Sequence, residues 1–296
     1  MGRPKHSTNV GFTLAAAGAI ILSLEVIFLR SLSDINGFQI MLYRSVSVSF
    51  VFLSFILLFT NQKTNVNSLK FNFKEILSGF FLSMSFFCYV FSILNSSVAS
   101  SLLILSISPV VSAILSKIFL NENLPKSLFV ILVSLVIGLF IIFENSVNDS
   151  QLLGNSIAFF GAFFFAASVV TSRAIGSNSI AFGGFLAGVF AFCSALLCLF
   201  VLDLSIFIHL KDIVLICIMG IFTTGLGMLL LLLSTKYLEG PYVSLIALLE
   251  VVLAPVWTLL FFSEVIAIQE VIGGILILTS ICIFLMNTKL NFKNLN

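Results

Sequence analysis

Polar residues along this chain fall into short clusters separated by long apolar stretches. Segments such as Val130–Phe143 and Met228–Leu233 are continuous in hydrophobicity and show no alternation. Barrel strands would alternate apolar and polar positions, so the pattern predicts helices. A helix needs about 20 mostly apolar residues to cross a bilayer. Ten such helices are predicted, near residues 11–30, 38–59, 75–94, 98–118, 127–143, 154–172, 181–202, 212–235, 241–262 and 266–286. Turn-forming residues punctuate them at Asn61–Asn67, Asn121–Pro125, Asn145–Ser150, Ser177–Ser179 and Glu239–Pro241. The longest connection, around residues 60–74, has no room for a folded domain. The fold class read here is an all-α membrane protein of ten transmembrane helices.

Composition agrees. Of 296 residues, 60% are hydrophobic and 9% are charged, against roughly a quarter charged in a soluble domain. With lipid as solvent, only helices and closed barrels satisfy the backbone. Cys88, Cys193, Cys198, Cys217 and Cys282 lie inside apolar runs without metal-ligand spacing, and read as packing residues. His6 and His209 lie outside the spans. No metal and no cofactor are expected. The expected partners are a small-molecule substrate and membrane lipid, not nucleic acid, with the chain a monomer or homodimer.

The charges set an orientation. With the N-terminus cytoplasmic, Arg3, Lys5, Lys63, Lys70, Lys74, Lys117, Lys126, Arg173, Lys236, Lys289 and Lys293 lie inside, and only Arg30 and Lys211 lie outside. Positive residues favour the cytoplasmic side, so both termini are expected there. The first apolar run is long and nine more follow it. It therefore reads as an uncleaved anchor rather than a signal peptide. The expected location is the cell inner (cytoplasmic) membrane, as a multi-pass protein.

The chain repeats itself. At a shift of 143, Gly11, Ala15, Gly18, Ala19 and Arg30 meet Gly154, Ala158, Gly161, Ala162 and Arg173. At 142, the stretch from Pro109 to Glu122 falls on that from Val251 to Glu264. Lys74-Glu75-Ile76 also resembles Lys211-Asp212-Ile213, but at a shift of 137. We read two five-helix halves, residues 1–148 and 149–296. Five spans per half force the second half into the membrane upside down. Inverted halves that exchange conformations are a recurrent transporter plan, with sites near the midplane between them.

Glu25, Arg44 and Glu250 are charged residues within spans. Each is costly in lipid and is expected to face the protein interior or a cavity. Glu250 lies about nine residues into its helix, which at 1.5 Å per residue is near the midplane. Trp257, seven residues on, shares nearly the same helix face. Together they can hold an organic cation by charge and cation–π contact. Glu250 can equally carry a proton, or be a structural carboxyl bonded to neighbouring helices. Glu25 and Arg44 lie at similar depth, so they can pair as an external gate or as packing; Arg44 can otherwise snorkel outward. Ser101, Ser108, Ser112 and Ser116 stripe the fourth helix, beside the break that Pro109 imposes. The stripe can line a polar path or allow close helix packing. Tyr43 and Tyr89 are further site candidates. Glu122 and Glu264 read as helix N-terminal residues. The repeat sets Glu25 against Ser168 and Ser108 against Glu250, so a cavity between the halves is expected to be electrostatically lopsided.

Three stretches carry a family resemblance: LYRSVSVSF at 42–50, SISPVVSAILSKIFLNENL at 106–124 and LEVVLAPVWTLLFFSEVI at 249–266. They resemble the EamA-type carriers of the drug/metabolite transporter superfamily. In that family a Pro near the middle of the fourth and ninth helices is followed thirteen residues later by a Glu, as Pro109 is by Glu122. Val251 stands where the second Pro is expected, with Pro255 a turn later. Arg44 matches an Arg that often opens the second helix. The resemblance implies a central cavity lined by both halves. Members move amino acids, other metabolites, nucleotide precursors and drugs.

The function expected is secondary transport, by alternating access, of a small polar metabolite: an amino acid or related zwitterionic or cationic solute. The chain has no Gly-rich phosphate loop ending in Lys-Ser/Thr, so direct ATP use is not expected. An intramembrane enzyme would need a nucleophile–base pair or metal ligands at depth, and no histidine lies in a span. A channel is the other alternative, distinguished by conductance that does not saturate.

Overall fold

A computed structural model describes residues 5–33, 35–59, 73–121, 149–175 and 180–263, and isolated positions 133, 137, 268, 271, 272, 275, 276 and 279. Among the described residues there are eight helices long and apolar enough to cross a membrane. They are α1 (Thr8–Ser31), α2 (Gly37–Leu58), α3 (Phe73–Asn95), α4 (Val98–Leu120), α5 (Leu152–Ala174), α6 (Ile180–Val201), α7 (Leu210–Ser234) and α8 (Gly240–Phe262). These match predicted helices one to four and six to nine. Of the predicted fifth and tenth helices only those isolated positions are described, and Glu122 and Glu264 lie outside the described residues. No strand occurs among the described residues.

Local chemistry sets the helix ends. The Ser97 hydroxyl accepts from the Ser100 amide and caps α4, satisfying a donor that the first turn leaves free. Asn121 and Ser263 close α4 and α8 in the left-handed conformation, at φ 52° and 53°. They stand 142 residues apart, the shift found in the sequence repeat at these helices.

Four helices repay closer description. α1 is interrupted at Leu24, between helical segments Lys5–Ser23 and Glu25–Ser31. α4 is split into Val98–Leu105 and Ser108–Leu120. Pro109 explains that split, because it has no N–H to give the Leu105 carbonyl and its ring crowds the preceding turn. Its repeat counterpart is Val251, which can donate, and α8 runs unbroken from Gly240 to Phe262 through Pro255. α7 is α-helical over Leu210–Ile218 and Met228–Ser234, but a π-helix over Met219–Gly227.

That π segment accounts for the change of repeat shift within α7. α3 has 23 residues and α7 has 25, an excess of 25 − 23 = 2. Their first residues, Phe73 and Leu210, differ by 137; their last, Asn95 and Ser234, differ by 139. A π turn closes i to i+5 rather than i to i+4, so each such turn absorbs one extra residue. A nine-residue π stretch therefore takes in two residues without lengthening the span.

The halves interleave rather than fold apart. α1 packs against α7 and α8, and α5 packs against α3 and α4. α2 packs on α6 and α7, α6 on α2 and α3, and α4 crosses α8. Exchanging α1–α4 with α5–α8 maps this set of partners onto itself. The repeated glycines lie at close crossings. A Cβ on Gly18 would fall 2.7 Å from the Gly227 carbonyl oxygen, and one on Gly161 would fall 2.9 Å from the Cys88 Cβ. Membrane helices gain little from hydrophobic exclusion, so close backbone approach at small residues supplies much of their association.

Candidate functional site

The break in α1 sets Glu25 at the start of a fresh helical segment, facing inward. Its carboxylate meets Arg44 of α2: Arg44 Nη2 lies 2.7 Å from Glu25 Oε1. Thr224, in the π segment of α7, joins them. Its hydroxyl donates to Glu25 Oε2 at 2.8 Å and accepts from Arg44 Nε at 3.0 Å. Three helices thus close a ring of charge-assisted contacts, with Glu25 1%, Arg44 2% and Thr224 0% exposed. Such a pair costs several kcal/mol of desolvation per ion, which its mutual attraction and added hydrogen bonds offset. The Arg44 guanidinium also sits over the rings of Phe86 and Tyr89 on α3, at 5.1 and 5.9 Å from their centroids. Cation–π attraction offsets part of the lost hydration.

Glu25 and Arg44 of this ring line a central cavity. Glu250 of α8 lines it, together with Tyr89, Ser85 and Ser108. Much of the remaining wall is apolar, with Leu22, Phe86, Leu102, Phe165 and Met228 among its residues. Arg44 Nη1 and the Tyr89 hydroxyl are buried without a hydrogen-bond partner. The Tyr89 hydroxyl lies beside the Glu250 carboxyl without being drawn into a bond of normal geometry. The cavity wall therefore holds unused donors at Arg44 and Tyr89, and a carboxyl group at Glu250.

Of the residues singled out in the sequence, the structure brings Glu25, Arg44, Tyr89, Ser108 and Glu250 together in this wall. Arg44 is held inside by Glu25 and does not snorkel. Three candidates stand elsewhere. Trp257 shares a helix with Glu250, but its Nε1–H donates to Ser23 Oγ at 3.0 Å, behind the break in α1. Tyr43 turns to the end of the bundle, where its hydroxyl donates to the Ile206 carbonyl at 3.0 Å. Ser112 lies with Ser116 against the start of α8, where a Cβ on Gly240 would fall 3.0 Å from both hydroxyl oxygens. The serine stripe thus divides: Ser108 opens on the cavity, while Ser112 and Ser116 allow a close helix crossing. Seven residues in a helix nearly restore the same face, yet the neighbours met two turns on differ. That is why Trp257 and Glu250 part company.

The position of Trp257 carries a prediction. Trp257→Phe removes one hydrogen bond, worth about 1 kcal/mol, and leaves the cavity wall intact. Uptake KM is expected to stay within about twofold of wild type while the unfolding temperature falls by a few degrees. A tenfold rise in KM would restore Trp257 to the binding site.

Thr224, Ser85 and Phe86 escaped the sequence reading. The signal for Thr224 lay in the stretch GIFTTGLG, where two hydroxyls and three glycines interrupt an apolar run. The lopsidedness expected from the repeat is present. At the shift of 143, Ser168 and Ala187 occupy the places of Glu25 and Arg44, and Ser168 bonds only its own helix, at the Phe165 carbonyl.

Comparison with known proteins places the fold. Among curated proteins, none matches the chain. A protein of solved crystal structure, 15% identical, superposes with a TM-score of 0.71 over 93% of this chain and 96% of its own. At that identity the likeness is one of fold alone. A sequence profile of the EamA-like transporter family matches twice, over residues 9–144 and 152–286. With both halves matched, the chain belongs to the EamA-like transporter family and is a multi-pass membrane transporter.

Proposed function

We propose that the protein is a secondary carrier, in the cell inner membrane, for a small zwitterionic or cationic solute such as an amino acid. Ten spans in two inverted halves, with both termini cytoplasmic, would give it alternating access without direct ATP use. One observation carries the solute class. The unused donors of Arg44 and Tyr89 face the same cavity as the Glu250 carboxylate. A carboxylate group suits the first and an ammonium group suits the second. The apolar wall between them suits an uncharged side chain, as small-molecule sites commonly combine a few placed polar groups with apolar surface. In that orientation the tight crossing of Ser112 and Ser116 with Gly240 shuts the cavity on the cytoplasmic side.

A ligand that binds the folded state raises stability by RT ln(1 + [L]/Kd), about 2.7 kcal/mol at a hundred times Kd. The purified protein is expected to gain thermal stability from zwitterionic amino acids, less from their amines, and least from the matching carboxylic acids. Stabilisation by dicarboxylates or neutral sugars alone would overturn the solute class.

A further inference from the structure

We propose that Thr224 is a positioning residue, which the π segment of α7 delivers between Glu25 and Arg44 so that one guanidinium edge stays free for the solute. The last step rests on the zwitterion reading above; the rest stands on geometry.

An arginine and a carboxylate left to themselves prefer a two-pronged fork, with two parallel N–H···O bonds. Glu25 and Arg44 do not make that fork. One carboxylate oxygen takes Arg44 Nη2. The other is occupied by the Thr224 hydroxyl, which itself accepts from Arg44 Nε. A hydroxyl both gives and takes a hydrogen bond, so it can bridge the two ions. With Nε and Nη2 engaged, the guanidinium plane is held and Nη1 is left without a partner. The neighbouring Thr223 does not share this task, because its hydroxyl bonds the Met219 carbonyl at 2.7 Å.

The π segment is what brings Thr224 there. α7 carries two residues more than its repeat counterpart α3, and the excess falls in the turn that faces Glu25 and Arg44. Helical π segments are rare and recur at functional sites. The symmetry-related trio α5, α6 and α3 has neither the extra residues nor the ion pair.

Without the hydroxyl, the freed Glu25 Oε2 takes Arg44 Nε directly, the Nε–Nη2 edge closes on the carboxylate as a fork, and the whole guanidinium is drawn toward Glu25, which pulls Nη1 back from the solute. The test uses the full-length protein in vesicles, with leucine and 3-methylbutylamine as probes; the amine lacks only the carboxylate. Thr224→Val is expected to raise the leucine KM at least tenfold and leave the amine KM within twofold. Thr224→Ser, which keeps the hydroxyl, is expected to restore leucine uptake. In parallel, the guanidinium N–H resonance of Arg44, assigned by its loss in Arg44→Lys, is expected to shift in Thr224→Val and return in Thr224→Ser. A resonance unmoved by Thr224→Val overturns the positioning role. A shifted resonance with equal KM changes for both probes, or with no wild-type uptake of either, supports the positioning role and overturns the zwitterion reading instead.

Discussion

Replacing Arg44 with alanine is expected to destabilise the folded protein by about 3–5 kcal/mol, the cost of stranding one partner of a buried ion pair. Glu25 is 1% exposed and would lose its only ion-pair contact among the described residues, at Arg44 Nη2. Thr224 would remain, but one hydroxyl cannot replace a cation. The rings of Phe86 and Tyr89 would also face an empty space where the guanidinium sat. Removing both charges together has a different sign. Glu25→Leu with Arg44→Met fills similar volume with apolar groups, and such replacements of buried pairs are often neutral or stabilising. The double variant is therefore expected to melt near or above wild type while transporting nothing. Thermal unfolding of the two purified variants checks this. An Arg44→Ala protein that melts within a degree or two of wild type would show the pair to be energetically idle.

Glu250→Gln is expected to leave the fold intact and to lower kcat/KM for cationic and zwitterionic solutes about 100-fold. Glutamine matches the volume of glutamate and keeps an acceptor oxygen, so the α8 crossings with α1 and α4 are preserved. What goes is the charge. A hydrogen bond to an ionised group contributes roughly 1.5–3 kcal/mol, and about 1.4 kcal/mol is a factor of ten. Glu250 lines the same cavity as Glu25 but has no ion pair among the described residues, so the change strands no counter-charge. Vesicle uptake, with unfolding measured alongside, separates binding from stability. Normal uptake by Glu250→Gln would remove this residue from the site.

The two variants separate because burial and charge act on them differently, and the difference bears on what a sequence discloses. Charged residues in apolar runs are legible because lipid makes them expensive: a stretch that keeps Glu25, Arg44 or Glu250 must provide for it nearby. The eight described spans were legible for the same reason, since each had to be apolar over a bilayer's thickness. The repeat was legible because glycines and alanines at Gly18, Gly161 and their neighbours set how close two backbones come. The shift of 137 at Lys74 and Lys211 comes from a shorter connection before α7, and the rise to 139 by the end of that helix marks a change of helix type that no local rule announces.

By itself, then, the sequence determined the lipid environment, the helices, the two related halves and the three charges that lie at depth. Solvent and backbone impose these, and both act along the chain. Tertiary structure alone decided that Glu25 faces Arg44, that Thr224 stands between them, and that Trp257 turns to Ser23 while Glu250 faces the cavity. Those outcomes depend on helix rotation and register. A break at Leu24, a proline at 109 and two extra residues in a π segment alter both by fractions of a turn, and only the packing of partner helices reads the result.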